Sequence, residues 1–210
     1  MTHLRRHVVF WLALMIFFPL LAHANGKGQW VRKASSGPAP AFSLTDQDNR
    51  KFALDDLRGK VVLLSFIYTQ CASGCPITTA KLASIYDEVK GRKDLHIVGV
   101  TIDPEHDTPA VLKDYGRQFK GVDFRTWSFL TGPQHEVNDI LLDYKVSPQW
   151  HGKRGPTGEV VSVSIVDHVL KTYLIDRKGA KRVEYWGQDF DPKVVLKDLK
   201  KVLDEDRNGP

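Results

Sequence analysis

Apolar runs and helical patterns alternate along most of the chain. Val61–Tyr68 is almost continuously apolar, as in a strand covered on both faces of a sheet, and Ile97–Ile102 repeats the pattern. Between them, apolar residues recur at roughly helical spacing behind Pro76, a residue type that the first turn of a helix tolerates. This alternation predicts an α/β domain whose central strands are buried.

The flanking segments extend the same architecture. A polar stretch at 46–49 separates two short apolar segments, which predicts an N-terminal β-hairpin. The segment Ser147–Glu159, dominated by Gly, Pro, Lys and Arg, predicts a long surface loop. The other predicted elements are a helix capped by Asp107, a strand Trp127–Leu130, a helix Pro133–Tyr144, strands Val160–Val166, Thr172–Ile175 and Val183–Trp186, and a last helix capped by Asp191. Together these elements fit a three-layer α/β/α domain with a mixed sheet.

The first 24 residues have the pattern of an export signal. Arg5 and Arg6 precede an uncharged run at 8–21, and Ala-His-Ala at 22–24 provides small residues for cleavage. The run contains Pro19 and is shorter than the roughly 20 residues that a membrane-spanning helix needs. We therefore predict cleavage after residue 24 and export, with a bacterial periplasm as the destination. If the segment were retained, residues 8–21 would anchor the protein to a membrane.

Composition divides the chain into a signal segment 1–24, a flexible tether 25–40 rich in Gly, Lys, Ser and Pro, one domain at 41–203, and a short tail at 204–210. Of the 210 residues, 42% are hydrophobic and 26% charged, which excludes a disordered chain and a protein with several membrane spans. Removal of the two signal arginines lowers the net charge from +5 to +3. Without a stripe of basic and aromatic residues, no nucleic-acid partner is predicted.

The two cysteines of the chain lie together where a buried strand gives way to a helix. They are Cys71 and Cys75, in the sequence SFIYTQCASGCP. On a helix this spacing places both sulfurs on one face, and a helix N-terminus favours a thiolate. Such a pair can close a disulfide, exchange disulfides or hold a soft metal ion. A purely structural disulfide over so short a loop would stabilise the fold only weakly.

Three separate motifs resemble those of the Sco/SenC family of thioredoxin-like proteins, which supply copper to the CuA site of cytochrome c oxidase. They are Cys71-x-x-x-Cys75-Pro76, the stretch TIDPEHDTP at 101–109, and Val166-Asp-His168 followed by TYLID at 172–176. The resemblance covers most of residues 40–203. Many relatives have proline directly after the first cysteine, where this chain has Ala72, and Ser73 and Gly74 make the loop small and flexible.

The resemblance implies a thioredoxin-like fold and one copper ion per chain, held by the thiolates of Cys71 and Cys75 and the imidazole of His168. Thiolates suit Cu(I) and imidazole accepts Cu(I) or Cu(II), so the set could serve both oxidation states. The implied partners are a copper-bearing subunit of cytochrome c oxidase, or another cuproprotein, and a thiol reductant. His151, in the basic loop, is the next ligand candidate, although a loop facing the partner explains it better.

Asp103 and Asp107 could be ligands of a hard metal ion or an acid–base pair. The structural interpretation is stronger, because Asp103 ends a strand before Pro104 and Asp107 can cap the next helix. An influence of these two acids on the nearby thiols stays open.

The main alternative to a copper carrier is a thiol–disulfide oxidoreductase that reduces cysteines of a partner. The usual redox motif has two residues between its cysteines, whereas three separate Cys71 from Cys75. His168 is also superfluous for thiol exchange. Both points favour a carrier that is not an enzyme. A thiol peroxidase fits less well, since no Thr-x-x-Cys motif with a matching downstream arginine is present.

Overall fold

The computed structural model describes residues 30–146, 148–154, 160–168 and 170–205, with the backbone alone for 148–154 and 160–168. Its strands are β1 (Val31–Ala34), β2 (Ser43–Asp46), β3 (Lys51–Ala53), β4 (Val61–Ile67), β5 (Leu95–Thr101), β6 (Trp127–Thr131), β7 (Pro148–Arg154), β8 (Val160–His168), β9 (Lys171–Ile175) and β10 (Lys181–Trp186). Its α-helices are α1 (Gly74–Asp87), α2 (Pro109–Arg117), α3 (Gln134–Asp143) and α4 (Pro192–Glu205).

Eight strands form one mixed sheet in the order β1-β10-β9-β4-β5-β6-β2-β3. The neighbours β4, β5 and β6 run parallel, and the remaining pairs of this sheet are antiparallel. β4 lies at the centre, between β5 and β9, and all of its residues are buried. Its carboxyl end therefore opens at the middle of the sheet edge, a position where α/β proteins place their ligands.

Side chains that alternate along β4 define the two faces of the sheet. Val61 and Leu63 pack in one cluster with residues of α1, α2 and α4, whereas Val62 and Leu64 pack in a second cluster with residues of α3. The continuous apolar run of β4 is explained by this double coverage. The predicted three-layer α/β/α fold is confirmed, and so is the N-terminal hairpin, which is formed by β2 and β3.

Two predicted segments are corrected. The tether predicted for 25–40 is wrong from Val31 to Ala34, where β1 pairs with β10 and Arg32 bonds Asp198 of α4 at 2.7 Å. All four side chains of this edge strand are exposed, so it leaves no apolar periodicity to detect. The loop predicted for Ser147–Glu159 is wrong over 148–154, where β7 pairs with β8 in a separate two-stranded sheet.

The ends of the chain are only partly covered. The signal predicted for 1–24 and the first part of the tether lie outside the described residues and stay predictions. α4 extends two residues beyond the predicted domain end at 203, and 206–210 lie outside the described part. Within residues 30–205, as far as they are described, no helix is long and apolar enough to cross a membrane.

Candidate metal centre

Both cysteines lie at the junction between the carboxyl end of β4 and the start of α1. Cys75 is the second residue of α1, and Cys71 precedes the N-cap residue Ser73 by two positions. The backbone N–H of Cys75 donates a hydrogen bond to the Cys71 sulfur at 3.2 Å. The two thiols are thereby held side by side, as the spacing predicts, although Cys71 reaches Cys75 from the loop rather than from the helix. Both are present as thiols in the structure.

The two thiols are buried, with 8% of Cys71 and none of Cys75 accessible to solvent. The hydrogen bond with the Cys71 side chain, and then burial, raise the pKa of Cys75 above its ordinary value. The expectation that the helix N-terminus would favour the thiolate is therefore wrong for Cys75. A second negative charge beside Cys71 in an apolar setting costs more than the helix end can offset.

Tyr68 is a third residue at the site and interacts with Cys71. No sequence motif indicated it. It is half-buried after the end of β4 and packs against both apolar clusters. Burial raises the pKa of Tyr68 above its ordinary value, and the charge of Cys71 and a hydrogen bond with that side chain add to the effect. The phenol therefore stays protonated and can donate to the sulfur of Cys71.

A close contact brings Leu170, the residue before β9, to the start of α1. A Cβ added to Gly74 would lie 2.6 Å from Cδ1 of Leu170 and 2.7 Å from Oε1 of Gln188. Leu170 also belongs to the apolar cluster that contains Cys71 and Cys75. Gly74 is buried at the start of α1, and its lack of a side chain allows Leu170 and Gln188 to approach this helix.

This contact bears on His168, which is the last residue of β8. Two residues span at most about 7 Å, so the backbone of His168 lies within that distance of the Cα atom of Leu170. The side chains of His168 and His151 lie outside the described residues, and their predicted roles stay predictions. Among the side chains that are described, no three of His, Cys, Asp and Glu form a group able to hold a metal ion.

The loop that precedes α4 closes the other side of the junction. Lys81 of α1 donates hydrogen bonds from Nζ to the carbonyl of Gln188 at 2.8 Å and that of Phe190 at 3.0 Å. The same ammonium lies 5.2 Å from the centre of the Phe190 ring. The Gly187 amide in turn donates to the carbonyl of Leu170 at 2.7 Å. These bonds hold α1, the 187–190 loop and Leu170 together.

Replacement of Gly74 by alanine is expected to destabilise the fold by about 1–3 kcal/mol, because Leu170 and Gln188 must move to admit a methyl group. The free energy of unfolding in urea measures the effect. Ser73→Ala is the matched control, since the Ser73 side chain makes no capping hydrogen bond. Equal stability of the two variants would show that the contact at Gly74 is not tight.

One of the two acids of the 101–109 stretch, Asp107, differs from the prediction. Asp107 does not cap α2; that role belongs to Thr108, whose side chain accepts a hydrogen bond from the amide of Val111. The Asp107 carboxylate instead accepts hydrogen bonds from Thr69 and Thr101 and is fully buried. Asp103 follows the end of β5, as predicted, and its carboxylate bonds Nδ1 of His106 at 2.9 Å.

Three other histidines have described side chains. His96 is buried in β5 and bonds Ser128 through Nε2 at 3.0 Å. Burial, and then the charge of Lys60, lower the pKa of His96 to about 4, so the ring is neutral near pH 7. His106 and His135 are exposed at the surface. The candidate centre among the described side chains is the pair Cys71 and Cys75, with Leu170 packed in the same apolar cluster.

This arrangement defines an α/β protein with two adjacent, buried thiols at the carboxyl end of its central strand. The SCO1/SenC family model matches residues 33–204, and the chain belongs to this family. The SCO1 protein homolog of Bacillus subtilis is 29% identical over 177 residues, which are 82% of this chain and 86% of the relative.

Solved structures of the family have the same fold. ScoI of Bradyrhizobium japonicum with copper bound aligns with a TM-score of 0.66 and 25% identity, over 79% of this chain and 99% of that one. BsSco, described as a member of the Sco family of cytochrome c oxidase assembly proteins with a disulfide switch, aligns with a TM-score of 0.63 and 26% identity, over 82% and 96%. The predicted thioredoxin-like fold is thereby confirmed.

Proposed function

We propose that the chain is a copper carrier that holds one Cu(I) on Cys71, Cys75 and His168. The observation that supports this most is the pair of thiols itself, fixed side by side by the hydrogen bond from the Cys75 amide to the Cys71 sulfur. Two sulfurs in an apolar setting are the donor set that Cu(I) prefers. ScoI of Bradyrhizobium japonicum, a structural relative, was solved with copper bound.

The buried thiols are expected to lose their protons to a bound cation rather than to solvent. The pKa of Cys75 is raised by its neighbour and by burial, so its proton is lost most readily when a positive ion replaces it. Cu(I) binding would therefore release protons from the two cysteines. The contact of Leu170 with Gly74 supports His168 as the third ligand, because it limits how far residue 168 can be from the cysteines.

We propose that copper leaves by ligand exchange. Thiolates of the recipient replace Cys71, Cys75 and His168 one at a time, and the protons lost by the recipient return to the two cysteines. No electrons are transferred in this route. The recipient we propose is the copper-bearing subunit of cytochrome c oxidase or another cuproprotein, in line with the oxidase-assembly family to which BsSco is assigned.

The site of action we propose is outside the cytoplasm. The support is the predicted signal at 1–24, with cleavage after residue 24 or retention of 8–21 as an anchor. In an oxidising compartment the two thiols need a reductant before they can accept copper, so a thiol reductant is a further partner.

A thiol–disulfide oxidoreductase is the second candidate, and the adjacency of the two sulfurs favours it as well. One cysteine would attack a disulfide of the partner, and the other would resolve the mixed disulfide, with two electrons passing to the partner. BsSco is described as having a disulfide switch. The two functions differ in their need for a third ligand.

His168→Ala separates the two candidates. We expect this variant to lose copper delivery to a soluble oxidase copper domain while it keeps most of its disulfide-reducing activity, because only the carrier needs an imidazole. The visible absorption of the pre-reduced domain follows metallation, and thiol release from its disulfide form follows reduction.

His135→Ala is the control, since His135 is exposed on α3 and lies outside the proposed site. If His168→Ala delivers copper as well as His135→Ala does, and only cysteine variants fail in both assays, the oxidoreductase replaces the carrier.

A further inference from the structure

A buried carboxylate lies behind the loop that carries Cys71. Asp107 has none of its surface exposed and follows β5, the parallel neighbour of β4. Its carboxylate accepts hydrogen bonds from the amide of Thr69 at 3.1 Å and from the hydroxyl of Thr69 at 2.5 Å. The hydroxyl of Thr101 donates a further bond at 2.5 Å.

Burial of a carboxylate is costly unless hydrogen bonds compensate for the lost water, and these bonds provide that compensation. Burial raises the pKa of Asp107, and the three donors on Thr69 and Thr101 oppose that effect. No ion pair among the described residues involves Asp107. Capping of α2 does not explain the residue either, because Thr108 performs it.

The position of Thr69 indicates what the carboxylate does. Thr69 follows Tyr68 and precedes Cys71 by two residues, in the turn closed by a hydrogen bond from the Cys71 amide to the Tyr68 carbonyl at 3.3 Å. Pairing of β4 with β5 ends just before this turn, where the amide of Ile102 bonds the carbonyl of Ile67 at 2.9 Å. Beyond that point, Asp107 supplies the next bonds between the two βα connections.

We propose that Asp107 is a positioning residue for the metal centre, which fixes the turn 68–71 through Thr69 and thereby holds the Cys71 sulfur over the start of α1. In this role Asp107 acts through Thr69 and is not a ligand of the metal. The proposal deepens the proposed copper site and rests on it for the copper measurement, whereas the accessibility of the Cys71 thiol tests it without copper.

Three variants test this role. Asp107→Asn removes the charge at nearly constant shape, and Thr69→Val removes the hydroxyl that bonds it. Both are expected to weaken Cu(I) binding about 10- to 100-fold, as is usual when the partner of a ligand-bearing group is lost. Thr69→Ser keeps the hydroxyl and should restore wild-type affinity. A purely structural role would lower the melting temperature without separating Thr69→Val from Thr69→Ser in copper affinity.

The metal-free protein provides the second measurement. Release of the turn should expose Cys71, so its alkylation by iodoacetamide, followed by peptide mass spectrometry, should be about 10-fold faster in Asp107→Asn and Thr69→Val. Asp103→Asn is the matched control, since it is the same substitution four residues away and its carboxylate bonds His106 instead. The control should alkylate and bind copper as wild type does.

Wild-type copper affinity and alkylation rate in folded Asp107→Asn and Thr69→Val would overturn the proposal. Equal effects of Asp103→Asn would also overturn it, because a general effect of charge in this stretch would then suffice. If Asp107→Asn does not fold, the comparison of Thr69→Val with Thr69→Ser decides between the two roles. If wild type itself binds no Cu(I), the proposed function fails, and the alkylation rates still decide the role of Asp107.

Discussion

Serine in place of Cys71 or of Cys75 is expected to reduce Cu(I) binding to background in the presence of a competing chelator. A hydroxyl is a hard, neutral donor at neutral pH, whereas Cu(I) prefers a soft thiolate. The loss of either sulfur leaves one thiol in an apolar pocket where water cannot replace the missing donor, because Cys71 is 8% accessible and Cys75 is not accessible at all. Titration with Cu(I) against a chromophoric chelator measures the stoichiometry and the affinity.

Ser73→Ala controls for disturbance of the loop between the cysteines. Ser73 is exposed and makes no side-chain hydrogen bond at the helix start, so this variant should bind one Cu(I) like wild type. A cysteine variant that retains one tightly bound Cu(I) would place the metal elsewhere on the chain. A loss of binding in Ser73→Ala would show that the loop, rather than the thiols, was disturbed.

Oxidation of Cys71 and Cys75 to a disulfide is expected to abolish copper uptake, and a reductant should restore it fully. The same two sulfurs cannot be joined to each other and serve as thiolate ligands. Their adjacency, with the Cys71 sulfur 3.2 Å from the amide of Cys75, favours closure of the disulfide. The measurement is copper per chain after mild oxidation, after removal of the oxidant, and after reduction.

The control for oxidation is the Cys71→Ser variant exposed to the same oxidant. It cannot form the disulfide, so its copper content should stay at background in every condition. Equal Cu(I) uptake by the oxidised and the reduced wild-type protein would exclude a thiolate site and leave the two cysteines to the oxidoreductase alternative.

The central part of the fold could be predicted because burial on both faces leaves a strong signal. β4 and β5 are buried throughout and mostly apolar, and the helices packed on them keep their apolar spacing. β1 and β7 could not be predicted, since neither carries such a pattern. The side chains of β1 are exposed, and β7 contains Gly, Lys and Arg in a hairpin outside the main sheet.

The site could be predicted only in part. The spacing of Cys71 and Cys75 predicted two adjacent thiols, but the contacts that organise them come from distant parts of the chain. Leu170 reaches Gly74 across almost a hundred positions, and Asp107 reaches Thr69 from the neighbouring connection. The one available signal for Asp107 was Pro109, because a proline favours the first helical position and so places the N-cap at Thr108 rather than at Asp107.

The rise in the pKa of Cys75 could not be predicted from the sequence either. A helix N-terminus lowers the pKa of an isolated thiol, but here the neighbouring sulfur and burial act in the opposite direction and are stronger. Sequence spacing predicts that two groups are close. The sign of their mutual influence depends on how much solvent remains around them.

X-ray absorption at the copper edge of the reduced protein, loaded with one Cu(I), identifies the ligands directly, because it counts the atoms bound to the metal. We expect two sulfur neighbours and one imidazole nitrogen, with the nitrogen lost in His168→Ala and retained in His135→Ala. A shell made only of nitrogen and oxygen would contradict the thiolate site. A spectrum unchanged by His168→Ala would remove His168 from it.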